Sequence, residues 1–134
     1  YYALVKREDY NIKAGFTASD AKWYKINEIP DLIYDHNEIL DYSIKHLRNK
    51  VRQTPIGFNL LPEKFTLLQL MHLYGEILGI EMDKPNFRRK ILHMKLLVAL
   101  DEKQQDVSHR AAQLYKFDPE IYEKLTEKGF NFEF

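Results

Sequence analysis

The sequence contains no cysteine. That excludes a disulfide scaffold and any zinc site built on thiolates, and it suits a reducing compartment such as the cytoplasm. Glycine is scarce, occurring only at Gly15, Gly57, Gly75, Gly79 and Gly129. None of these makes a Walker loop, a Gly-x-Gly-x-x-Gly turn or a Gly-x-Ser-x-Gly elbow. No apolar run approaches the length of a bilayer span, so no membrane partner is expected, and the opening YYALVKRED is not a signal peptide. An initiator methionine is also absent. With a strand-like opening, this points to a piece of a longer polypeptide whose N-terminal part is missing. The five histidines show no His-Glu-x-x-His pair and no carboxylate pattern for zinc, so no metal or other cofactor is expected. Finally, there is no excess charge: 20 Lys and Arg balance 20 Asp and Glu. Any nucleic-acid binding must come from local asymmetry.

What is present is 134 residues, 45% of them hydrophobic, enough for one domain or two small ones. The sharpest asymmetry is Asp83 to Lys95, DKPNFRRKILHMK, with five basic residues and no acid after Asp83. Asp83 is a helix cap, and Pro85 suits a first turn, where its missing N–H costs nothing. Wound at 100° per residue, Phe87, Ile91 and Met94 share one side. Asn86, Arg89 and His93 share roughly the opposite one, and Arg88 and Lys90 flank the two. Arg and Asn pair bidentately with guanine and adenine edges in a major groove. A solvated basic face on an ordinary helix is the plain alternative.

The remainder of the chain sets this helix in context. YYALVKR (1–7) and AKWYKI (21–26) read as strands, too few for a sheet of their own. A helix is expected from Asp35 to about Val51, with Leu40, Ile44, Leu47 and Val51 as its apolar stripe, and Tyr34 spaced to staple against Ile39. Pro55, Gly57 and Pro62 make residues 53–64 a linker, with domains at 1–54 and 55–134. Thr66 and Gln69 form a capping box for the next helix, whose apolar face is Leu67, Leu70, Met71, Tyr74, Ile77 and Leu78, ending at Gly79. Only Ile80 to Met82 separate it from the cap Asp83. Two amphipathic helices joined so closely, the second basic, form a helix-turn-helix pattern. Strands at 96–100 and 111–117 follow, a hairpin that reads as a wing, with Lys103, Gln104, Gln105, His109 and Arg110 at or near its tip. Asp118–Pro119 opens a last helix, and FNFEF (130–134) either packs back or adds an edge strand. The aromatics Phe65, Tyr74, Phe87, Tyr115 and Phe117 read as core.

LPEKFTLLQLMHLYGEILG, DKPNFRRKIL and HRAAQLYKFD together resemble the C-terminal winged-helix domain of the Nudix-related transcriptional regulators of bacteria. The upstream AKWYKINEIPDLIYDHNEIL resembles the end of the Nudix-like domain in the same family, with Trp23, Pro30 and Asp35-His36 in the matching places. The resemblance implies an α+β chain, a winged helix-turn-helix domain preceded by a C-terminal remnant of a Nudix-like α/β domain. It further implies a cytoplasmic homodimeric regulator that binds a double-stranded DNA operator. The small-molecule effector would be ADP-ribose-like, or a sugar such as arabinose. Carried over by position, Lys84, Asn86, Arg88, Arg89 and Lys90 would belong to the recognition helix, and Arg110 would be the wing arginine. With His93 and Lys103, these form the expected DNA-contact set.

One departure matters. Nudix hydrolases need a glutamate-rich helix ending Arg-Glu-x-x-Glu-Glu to hold magnesium, and this chain has no such run. It is therefore expected not to be an enzyme. A Nudix hydrolase of nucleoside diphosphate derivatives and a winged-helix module for protein contact are the alternatives. The helix 35–51 joins the two halves and, by position, would be the mechanical link between effector and DNA.

Overall fold

The computed structural model describes residues 2–105, 107–108 and 110–134. They divide into two compact units, Tyr1–Lys45 and His46–Phe134.

Among the described residues of the first unit no strand forms. Of the expected strands at 1–7 and 21–26, the described residues 2–7 and 21–26 form extended chain with short 3-10 turns at Arg7–Asp9 and Ile26–Glu28. Aromatic and β-branched side chains favour an extended backbone, but a ladder needs a partner for its N–H and C=O groups, and this segment offers none. The aromatics here stay largely uncovered, including Tyr10, Phe16, Trp23 and Tyr24.

Helix α1 (His36–Gln53) crosses from one unit to the other along the chain. Its first intrahelical bond runs from the Ile39 N–H to the Asp35 carbonyl at 3.0 Å. The staple expected between Tyr34 and Ile39 does not form: Tyr34 has φ 56 and both side chains are exposed. Instead the Asn37 side chain accepts from the Leu32 N–H at 3.1 Å. Along the apolar stripe, Leu40, Ile44 and Leu47 are half-buried and Val51 is fully buried.

In the second unit the expected linker is part of the core. Pro55–Leu60 forms a 3-10 helix that buries Gly57 and Phe58. Gly57 is there for close approach, because a Cβ at this position would lie 2.9 Å from the Tyr74 ring. Pro and Gly mark a tight turn as readily as a loose tether, so composition could not separate the two. The compact division accordingly falls at 45/46, inside α1, not at 54/55.

Helix α2 (Leu67–Leu78) starts at a complete capping box: Thr66 Oγ1 accepts from the Gln69 N–H, and Gln69 Oε1 accepts from the Thr66 N–H. It ends at Gly79, whose φ of 67 is the left-handed conformation that glycine adopts without strain. Helix α3 (Lys84–His93) follows directly. Strands β1 (Leu97–Lys103) and β2 (Gln113–Phe117) pair antiparallel, Leu97 opposite Phe117 and Ala99 opposite Tyr115. The register breaks between Ala99 and Lys103, which faces Gln113. Phe65 adds a third, one-residue rung: it exchanges both backbone bonds with Tyr115, at 2.9 and 2.8 Å. Helix α4 (Pro119–Glu127) is capped by Asp118, which accepts from Glu120 and Ile121. The terminal FNFEF packs back: Phe132 is buried, and the Phe134 N–H donates to the Arg52 carbonyl. Helices on a small antiparallel sheet, in this order, make an α+β winged helix-turn-helix.

Candidate nucleic-acid interface

Helix α3 is aimed by its two ends and one face. Asp83 accepts from the Asn86 N–H at 2.8 Å and so fixes the start. Phe87 and Ile91 are buried beneath it, with Met94 at its C-cap. Burying side chains of this size contributes about 1.5–3 kcal/mol each, enough to hold the helix against the body. The Phe134 ring meets Phe87 edge-on at 5.4 Å and lies 4.1 Å from Tyr74, propping α3 and α2 together. On the other side of the turn, Arg48 Nε donates to the Ile77 carbonyl at 3.1 Å. A guanidinium there also meets the negative end of the α2 dipole.

The opposite face of α3 is open. Lys84, Asn86, Arg88, Arg89, Lys90 and His93 are all exposed. Arg89 Nη2 donates to Asn86 Oδ1 at 2.6 Å, so the two side chains suited to base edges sit side by side on one helix. The Asn86 carbonyl orients the guanidinium while its amide N–H groups stay available to a partner. Lys90 leans toward the support, its Nζ 6.0 Å from the Phe134 ring centre. Lys103 ends β1 and Arg110 precedes β2; both are exposed and belong to the hairpin, not to the α3 group. His109, also expected at the hairpin tip, lies outside the described residues.

Some supporting residues escape a reading of pattern alone. Arg48 and Phe134 act through backbone carbonyls and a ring contact that no motif marks. Lys64 forms an ion pair with Glu102 of β1, its Nζ 2.8 Å from both carboxylate oxygens. The bridging rung at Phe65 brings Lys64 to the hairpin, and a one-residue strand leaves no alternation to detect.

Among the described residues, no group of three or more His, Asp or Glu sits together to hold a metal ion. No helix among them is long and apolar enough to cross a membrane.

Residues 57–117 match the NrtR DNA-binding winged helix domain. The chain is 30% identical to the ADPR responsive transcriptional repressor NtrR of Acinetobacter baylyi, over 98% of this chain and 50% of that protein. It therefore spans half the length of the curated relative it matches. Its fold is similar to that of Shewanella oneidensis NrtR complexed with a 27mer DNA: TM-score 0.60, 26% identity, 87% of this chain and 51% of that one. A second crystal structure of Shewanella oneidensis NrtR gives TM-score 0.57 at 28% identity, over 78% of this chain and 48% of that one. Over residues 57–117, then, the chain is similar to the NrtR DNA-binding winged helix domain.

Proposed function

We propose that this chain is the operator-binding part of a bacterial transcriptional repressor. The observation that carries the reading is the open Asn86–Arg89 pair on a capped helix whose other face is anchored by Phe87 and Ile91. Helix α3 enters the major groove, Arg89 and Asn86 read base edges, and Lys84, Arg88, Lys90 and His93 meet phosphates or flanking bases. Lys103 and Arg110 contact the backbone or the minor groove from the wing.

Residues 1–54 end a Nudix-like effector domain with its linking helix, and residues 55–134 bind DNA. The linking helix α1 is shared between them, since from His46 on it belongs to the same compact unit as the winged helix. The effector is ADP-ribose-like, a choice supported by the ADPR-responsive relative over a sugar such as arabinose. The protein acts as a cytoplasmic homodimer that binds rather than hydrolyses its effector. Two copies place their half-sites about 34 Å apart, one helical turn, or a multiple of that.

A gel shift with random duplex DNA at low salt tests the reading. The expected result is a retarded complex that weakens steeply with added salt, because phosphate contacts release counterions. No shift would contradict it and favour a winged helix used for protein contact. On the operator, Lys90→Ala should weaken binding evenly across sequences. Arg89→Ala should cost about 1–3 kcal/mol against the preferred sequence.

A further inference from the structure

The segment before α2 and the hairpin meet in an ion pair that the reading above leaves unused. Lys64 holds both oxygens of Glu102 at 2.8 Å. The two side chains are 48% and 52% exposed, and pairs this open contribute little to stability. They line a recess of about 370 Å³ whose other polar walls are Gln69, Lys103, Gln104 and Gln105. Each of those four is a hydrogen-bond donor, and Glu102 is the one acid on the wall. A wall of amides and ammonium groups suits an anion with several acceptor oxygens. The carboxylate already there behaves as a tethered substitute for one.

We propose that Lys64 is a DNA-phosphate contact and that Glu102 is its built-in competitor. The proposal rests on the DNA-binding reading. In the free chain Glu102 neutralises Lys64, so the lysine adds nothing to the long-range pull on a polyanion. An arriving phosphate oxygen must displace the carboxylate and exchanges one charge-assisted bond for another. Glu102 is then left beside a polyanion. The contact gives little affinity for random DNA. It forms where the α3 contacts already hold the duplex in register, so Glu102 sets the ratio of operator to random binding.

The test titrates the whole chain with a random-sequence duplex from about 50 to 200 mM salt, the range over which phosphate contacts are most visible. Wild type, Glu102→Gln, and Glu102→Gln combined with Lys64→Gln are compared. Glu102→Gln is expected to tighten random binding several-fold and to steepen the log–log salt slope by about 0.9, one further counterion released. Adding Lys64→Gln is expected to reverse both changes. A stability role alone would move neither slope. Equal affinity and slope for wild type and Glu102→Gln overturn the proposal, as does a double variant whose slope stays as steep as that of the single. No binding by wild type overturns the DNA-binding reading itself, and this proposal with it.

Discussion

Tyr74 shows how tightly the centre of the winged helix is packed. Its ring is fully buried against Gly57, Phe58 and Phe134, and its hydroxyl has no hydrogen-bond partner among the described residues. A buried hydroxyl without a partner keeps its desolvation penalty. Tyr74→Phe is therefore expected to raise stability, by about 1 kcal/mol, read from a denaturant midpoint shift. Burial also pushes the phenol above its ordinary pKa of 10.0. In the unfolded chain the same group ionises near pH 10, so the unfolded state binds fewer protons there and stability falls as pH rises above about 10. Tyr74→Phe should remove that part of the alkaline loss. Gly57→Ala should act the other way and destabilise by about 1–3 kcal/mol, since its Cβ would press on the ring. The burial of Tyr74 was legible in the apolar face of α2, but its contact with Gly57 was not. A glycine between two prolines looks like a hinge until the ring that faces it is known.

At the scale of elements, legibility followed local signals. The caps Thr66, Asp83 and Asp118, the left-handed Gly79 and the apolar faces of α2 and α3 all stand where periodicity and capping chemistry place them. These features are set by neighbours three or four residues away. The box at Thr66 satisfies two backbone N–H groups at once, and Thr66→Ala should cost about 1 kcal/mol in thermal or chemical melts. The failures were non-local. The strands expected at 1–7 and 21–26 had the composition of strands but no ladder partner, and the Phe65 rung had a partner but no pattern. The hairpin was found, yet β1 runs on to Lys103 because a register break after Ala99 lets it continue past the point where the apolar run stops. The anchoring of α2 by Arg48 joins residues far apart in sequence and could not be read from either helix alone.

At the scale of the whole molecule, the hydrophobic core belongs to the second unit. Among the described residues, every buried apolar side chain of the core lies between Val51 and Phe132, while Tyr10, Phe16, Trp23 and Tyr24 are exposed. The resemblance in FTLLQLMHLYGEILG and NFRRKIL points to a winged-helix domain, and the family match at 57–117 covers those same segments. The individual DNA contacts are a different matter, because they depend on which exposed side chains meet a partner that is not in the sequence. Selecting preferred sites from a pool of random duplexes, with wild type and Arg89→Ala side by side, measures this most directly. If α3 reads the major groove, wild type enriches a defined motif and the variant loses preference at one position while keeping the rest. An unchanged motif from Arg89→Ala would contradict the placement of that helix in the groove.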